Sequence, residues 1–191
     1  YTHRDFSNRL PFANGGQVEF QRHFTGGGLV YTAETEPVGF QTGADFDFQR
    51  DHRLNHDNLF GERGPTVVDQ VEEVGAFGVF GRADWQIAET WQLSGALRFD
   101  TVGFEVEDRF LADGDDSGSR TFSQVSPFAG LSWQPRPNRA VFANVSRSFE
   151  TPTTTELDNP QGGGFNENID PQTATGIEAG SRGSATLFGQ P

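Results

Sequence analysis

The sequence predicts an all-β fold, antiparallel strands arranged as part of a transmembrane β-barrel, and three observations carry that prediction. Apolar and polar residues alternate through successive segments, short and long connections alternate between them, and every tryptophan stands beside a short connection. Composition agrees, because 24 glycines and 19 phenylalanines in 191 residues favour strands and turns over helices.

The alternation is clearest from Gly75 to Ile87, where Phe77, Val79, Ala83 and Trp85 share one side and Arg82, Asp84 and Gln86 the other. After Ala88-Glu89-Thr90 it resumes with Trp91, Leu93, Leu97 and Phe99 against Gln92, Ser94, Arg98 and Asp100, so the two segments read as a hairpin. Phe40, Phe46 and Phe48 alternate with Gln41, Asp45 and Asp47, and Val125, Ala129, Leu131 and Trp133 with Ser126, Gly130 and Ser132. Pro127 falls inside this last segment, where a proline belongs at an edge or an unpaired position. Further strands are expected at about 17–24, 29–35, 139–148 and 173–183. Near Thr101 to Gly103 the apolar phase shifts to Val102, Phe104 and Val106, which implies either a bulge or a strand leaving its apolar surroundings.

Residues 35–39, 88–90 and 134–138 read as tight turns, and 51–70, 108–121 and 150–172 as long polar connections. Three long connections on one side of a sheet are unusual in a compact soluble domain. Outer-membrane barrels have this asymmetry, with short periplasmic turns, long extracellular loops and a girdle of aromatic residues at each interface. The competing architecture is a soluble β-sandwich serving adhesion or carbohydrate binding, which shows the same alternation. Its inner faces carry bulky side chains, whereas the apolar faces here contain Gly75, Gly81, Ala83 and Gly95.

Several chemistries are excluded or disfavoured. No cysteine is present, which removes disulfides, thiolate zinc sites and cysteine nucleophiles. The 14 basic residues, all arginine, face 27 acids for a net charge of −13, which leaves no basic footprint for nucleic acid. Asp113-Gly114-Asp115-Asp116-Ser117-Gly118 matches the first half of a calcium loop, but position 12 is Gln124 and no flanking helix is expected. An acidic hairpin tip is the preferred reading. His52 and His56 are read as exposed loop residues rather than as metal ligands. Neither a catalytic motif, nor a phosphate cradle at Gly162-Gly163-Gly164, nor a cofactor site emerges, so no enzyme and no cofactor is expected.

The stretch from Trp133-Gln134-Pro135 through Ala143-Asn144-Val145-Ser146-Arg147-Ser148-Phe149-Glu150-Thr151-Pro152 resembles the barrel of TonB-dependent outer-membrane receptors. So do Thr155-Glu156-Leu157, Asp170-Pro171-Gln172, with Gln172 where the family usually has Glu, and Gly176-Ile177-Glu178-Ala179-Gly180. Trp91 to Asp100 and Ser126 to Leu131 are similar to its mid-barrel strands, so the resemblance covers about residues 75–183. It implies uptake of a scarce ligand such as a ferric siderophore, through a barrel of about 22 strands closed by a plug that contacts TonB. The chain shows neither plug nor TonB box and ends at Phe188-Gly189-Gln190-Pro191, so residues 1–191 are expected to supply about eight or nine strands of a larger barrel. A small complete outer-membrane barrel is the remaining alternative.

In that frame Phe77, Val79, Leu93, Leu97, Phe99 and Leu131 face outer-membrane lipid of a Gram-negative cell, and Arg82, Asp84, Arg98, Asp100 and Glu178 face the lumen. The expected partners are that lipid, the plug and remaining strands, the TonB system and a siderophore-like ligand. Arg82, Arg98, Asp100, Phe149 and Glu156 are the candidate ligand contacts.

Overall fold

The computed structural model describes residues 1–9, 16–159 and 162–184. They form eight strands, β1 (Thr2–Arg9), β2 (Gln17–Thr35), β3 (Val38–Leu59), β4 (Glu62–Ala88), β5 (Trp91–Asp108), β6 (Gly118–Arg136), β7 (Arg139–Glu150) and β8 (Gln172–Gly183), with one short helix, α1 (Thr154–Leu157), before β8. The strands pair in sequence order, each antiparallel to the next, in a single sheet. No second sheet packs on it among the described residues, which excludes the sandwich. β1 pairs with β2 alone and β8 with β7 alone, so the sheet is an open wall and not a closed eight-strand barrel. The terminal Phe188-Gly189-Gln190-Pro191 lies outside the described residues.

The expected tight turns are present as the two-residue connections Glu36-Pro37, Glu89-Thr90 and Pro137-Asn138, all at one end of the wall. At the far end two long connections hold, at 109–117 and 151–171, but the expected loop at 51–70 does not exist. That stretch is the tip of the β3–β4 hairpin, closed by Phe60 and Gly61, both at positive φ (57° and 97°). Its strands are polar on both faces, so they lack a hydrophobic alternation. Cross-strand pairs Arg50–Glu73 at 2.8 Å and His52–Asp69 at 2.9 Å lace them together. His52 and His56 are therefore strand residues, and His56 is buried against Arg63 and Thr66 rather than exposed.

The expected strands at 17–24 and 29–35 are instead one strand running through Gly26-Gly27-Gly28. Asp47 and Asp45 on β3 crowd this stretch. A Cβ on Gly26 would sit 2.1 Å from the Asp47 carboxylate, and one on Gly28 would lie 3.2 Å from the Asp45 Cβ. The glycines admit neighbouring side chains and do not break the strand. Pro127 stands where the β6–β7 ladder stops, the last pair being Phe128 with Ser146, so its missing N–H costs that ladder nothing.

Register assigns every side chain to a face. Leu29, Phe46, Phe77, Val79, Leu97, Phe99, Val125, Leu131 and Val145 share one face and are largely exposed, Leu97 at 56%. The intervening residues are half-buried along β5 and β6, as expected on the concave side of a curved sheet where side chains shade one another. On the convex face the apolar band is bounded at one end by Trp85, Trp91 and Trp133, the last two stacked at 5.7 Å. At the other end it meets a polar row, His23–Arg50–Glu73–Glu105, joined by direct register. Along β5, the 12 steps from Trp91 to Gly103 climb about 30 Å at the usual tilt of roughly 40°, enough for the apolar band and its girdles.

The phase shift at Thr101 to Gly103 is not a bulge. β4 and β5 stay in uninterrupted register from Gln70–Asp108 to Gln86–Gln92. Beyond Thr101 the apolar residues move to the concave face, where Phe104 and Phe122 pack edge-on at 6.0 Å and enclose Leu157 of α1, with Val74, Val102, Phe165 and Ile169 around them. Leu157 is fully buried. The core of the described residues thus sits at the far end, and the strand changes face because it passes from an apolar band to a packed, loop-covered interior.

Candidate functional site

The concave face carries the polar chemistry, arranged in three levels. Nearest the tight turns, Arg82 grips the Asp84 carboxylate with Nε at 2.7 Å and Nη2 at 3.0 Å, and the Ser94 hydroxyl donates to the same carboxylate. These residues border an open cavity of about 1120 Å³ that also touches Thr32, Glu34 and Gln41.

Half-way up, Arg98 joins three strands. Its Nη1 and Nη2 donate to the Asp45 carboxylate at 2.8 and 2.7 Å, and its Nε donates to Asp100 at 2.7 Å. Asp45 is on β3 and Asp100 on β5, so the guanidinium spans β4 between them, passing over Gly78. A Cβ at Gly78 would lie 2.1 Å from the Arg98 Nη2, so glycine there is what lets the bridge form. Other inward glycines receive rings in the same way: a Cβ on Gly43 would meet Phe80 at 2.6 Å, and one on Gly180 would meet Phe142 at 2.7 Å. On β7 and β8, Asn144 donates to Glu178 at 3.0 Å.

The far-end level is a cavity of about 540 Å³ between β2–β5 and the segment Thr151–Thr155. Arg22 makes a bidentate pair with the buried Asp51, the shortest contact 2.6 Å, and its guanidinium lies 5.1 Å from the Phe20 ring. Arg53 reaches Glu72 at 3.4 Å and the Thr155 hydroxyl at 3.1 Å, tying α1 to the wall. Planar guanidinium pairs of this kind hold side chains in fixed orientation while keeping part of the fork free for a ligand oxygen. α1 is itself fixed by a capping box, with the Thr153 N–H and hydroxyl donating to the Glu156 carboxylate at 2.8 and 2.9 Å. Those bonds hold the Glu156 carboxyl below its ordinary range.

The two long connections lock onto each other. Gly163 donates its N–H to Asp116 at 2.6 Å, and Arg120 donates to the Asn166 carbonyl at 2.6 Å. Gly162, Gly163 and Gly164 all have positive φ, which glycine alone adopts without strain. In the acidic loop Asp108 accepts from the N–H groups of Phe110 and Asp116, and Asp115 from that of Ser117. The carboxylates of Asp108, Asp115 and Asp116 are turned to loop amides, and no group of three or more metal-ligating side chains converges among the described residues.

Of the five candidate contacts, Arg82, Arg98 and Asp100 stand on the concave face, and Arg98 and Asp100 touch. Phe149 stands on β7 in the phase of Val145, that of the convex face. Glu156 caps α1 and is exposed. Sequence reasoning missed Asp51 and Arg53, because 51–70 lacked an apolar face, and with them their partners Arg22 and Glu72. A signal was available: Asp51 and Arg53, two apart, oppose Glu72 and Gln70 once the hairpin is closed at Phe60-Gly61.

A family profile described as TonB dependent receptor-like, beta-barrel, matches residues 1–190. The chain belongs to the TonB-dependent receptor family. Solved structures agree on the fold. The copper transporter OprC superposes with a TM-score of 0.70 at 19% identity, over 89% of this chain and 28% of that one. The ferric yersiniabactin uptake receptor FyuA from Yersinia pestis gives 0.67 at 14%, over 95% and 29%. The siderophore receptor PiuA from Acinetobacter baumannii gives 0.63 at 16%, over 88% and 30%. The chain therefore spans less than a third of the length of these receptors, and as a TonB-dependent receptor segment it is a partial barrel wall.

Proposed function

We propose that this wall belongs to an active-transport receptor of a Gram-negative outer membrane that takes up a scarce ligand such as a ferric siderophore. One observation carries the reading: a single-layer sheet whose convex face is apolar between a tryptophan row and a charged row, while its concave face holds Arg98 bridged to Asp45 and Asp100. An apolar exterior around a charged interior is the arrangement that lipid outside and an aqueous passage inside demand. The resemblance of the fold to receptors for siderophores and a metal supports the same reading. A plug contributed by the rest of the protein would pack against the Arg82–Asp84 level and couple the barrel to TonB. Arg98 and Asp100 would contact the passing ligand or the plug, and Arg82 the plug. Glu156, capping α1 in the segment that covers the far-end cavity, would help to retain ligand from outside, and Phe149, on the convex face at the foot of that segment, would act on ligand only through it.

The test uses the full-length parent protein in its own cell. It should be recovered from detergent-extracted outer membrane, and uptake of radiolabelled iron from ferric siderophores should require both the receptor gene and a working TonB. Recovery from periplasm or medium would refute the membrane reading. TonB-independent uptake, or none with any ferric siderophore supplied, would refute the transport reading.

A further inference from the structure

At the far end of the convex face, β1 and β2 bring two histidines into direct register. His3 and His23 are Cα partners, and their rings lie 4.5 Å apart between centroids, tilted by 34°. Each ring has one nitrogen engaged. His3 Nε2 faces the Asp5 carboxylate at 3.3 Å, and His23 Nδ1 faces the Tyr1 hydroxyl at 2.9 Å. The other nitrogens, His3 Nδ1 and His23 Nε2, have no hydrogen-bond partner among the described residues. Metal-bound imidazoles have this outer support: one N–H donates to a carboxylate or another oxygen, which fixes the tautomer and leaves a lone pair on the second nitrogen.

We infer that His3 and His23 form a two-imidazole site for a divalent transition-metal ion, positioned by Asp5 and Tyr1, on the outside of the barrel. Imidazole selects zinc, copper or nickel over the hard cations magnesium and calcium. With metal–nitrogen distances of about 2.0–2.1 Å, one ion can be shared by cross-strand neighbours this close after a modest turn of the rings. Such a turn is open to them with their supports kept, because His3, His23, Asp5 and Tyr1 are all exposed and can move together, and none takes part in the buried core. Water fills the remaining positions. The neighbouring cation, Arg50, opposes His23 in register, but its charge is taken by Glu73 at 2.8 Å.

The place of the site separates it from transport. His23 belongs to the polar row with Arg50 and Glu73, one step beyond the apolar band ending at Phe48, so the ion would reach it from the aqueous side. The concave face and its cavities lie on the other side of the wall.

The experiment is equilibrium dialysis of the detergent-purified full-length receptor against zinc, with heat-shifted gel mobility confirming a folded barrel. Wild type should hold one more tightly bound zinc ion than the double variant His3→Ala/His23→Ala. Asp5→Asn should weaken that ion about tenfold or more, and His52→Ala, outside the pair, should leave it unchanged. Bound copper should show two nitrogen couplings in its electron paramagnetic resonance spectrum and one in His23→Ala. Equal zinc stoichiometry and affinity in wild type and double variant would overturn the assignment, as would an unaltered copper spectrum in His23→Ala. Should the alanine variant fail to assemble, His3→Gln/His23→Gln keeps size and polarity and carries the same comparison.

Discussion

Leu97 and Arg98 are adjacent in β5 and point to opposite sides of the wall, so exchanging their characters tests the assignment of faces. Leu97 lies six residues above Trp91, which at a rise of about 3.4 Å and a tilt of roughly 40° places it about 15 Å along the barrel axis from the tryptophan row. That is close to the middle of an apolar band about 25 Å tall, where an arginine facing lipid costs about 2–4 kcal/mol. Leu97→Arg should therefore lower the ratio of assembled to unassembled receptor by roughly thirty- to several-hundred-fold, at about 1.4 kcal/mol per factor of ten. Arg98→Leu removes a guanidinium that is 36% exposed and leaves Asp45 and Asp100 facing water in the lumen. After allowance for solvent screening, each lost pair is worth only about 0–1 kcal/mol. The assay is urea unfolding of the full-length receptor in lipid vesicles, with heat-modified gel mobility as the check on assembly. Leu97→Arg should give the lower midpoint by a wide margin. If Arg98→Leu is the more damaging, the convex face is not the lipid face.

Three further outcomes follow from the packing. Leu157→Ala should cost about 2–5 kcal/mol locally, so that the stretches 151–159 and 162–169 become sensitive to protease while the strands keep their heat-shifted mobility; unchanged protection there would mean the cluster around Phe104 does not hold them. Gly43→Val should destabilise by about 1–3 kcal/mol, because its Cβ would meet the Leu29 carbonyl at 2.7 Å as well as the Phe80 ring; Gly75→Val, with open space around it, should not, and equal midpoints would refute the close approach. The carboxyl of Glu156 is held below its ordinary range by the Thr153 backbone and hydroxyl, so its contribution to α1 is complete above the normal glutamate pKa of about 4.3 and is lost as pH falls through the lower native value. Hydrogen exchange at Thr153 and Glu156, corrected for intrinsic rates, should show protection falling in that acidic window, and Glu156→Gln should remove the pH dependence.

What could be read from the sequence was whatever the membrane imposes. Phe77, Val79, Leu97 and Leu131 alternate with polar neighbours because lipid requires one face to be apolar, and Trp85, Trp91 and Trp133 mark the turns because the interface attracts them. Above the polar row that requirement ends. Residues 51–70 continue as strands held by Arg50–Glu73, His52–Asp69 and Arg53–Glu72, and polarity on both faces makes them look like a loop. The triplet Gly26-Gly27-Gly28 looks like a break because the crowding by Asp45 and Asp47 comes from another strand. At the candidate site, Arg98 was legible as an inward charge, but its main partner Asp45 is 53 residues away and emerges only from register. The Arg22–Asp51 pair was hidden for the same reason.

The change of face within β5 sets a rule for how this wall can vary in length. Below Thr101 a single inserted residue would rotate every following side chain, turning Leu97 and Phe99 inward and Arg98 toward lipid, so length changes there are admissible only in pairs. Above Thr101 β5 still pairs with β4 and β6, but no lipid face has to be kept, and the concave side chains pack in part on α1 and loop residues, which can follow a strand that grows or shrinks. Variation among related chains should therefore accumulate as odd and even insertions alike beyond the polar row, and as even steps or none between that row and the tryptophans.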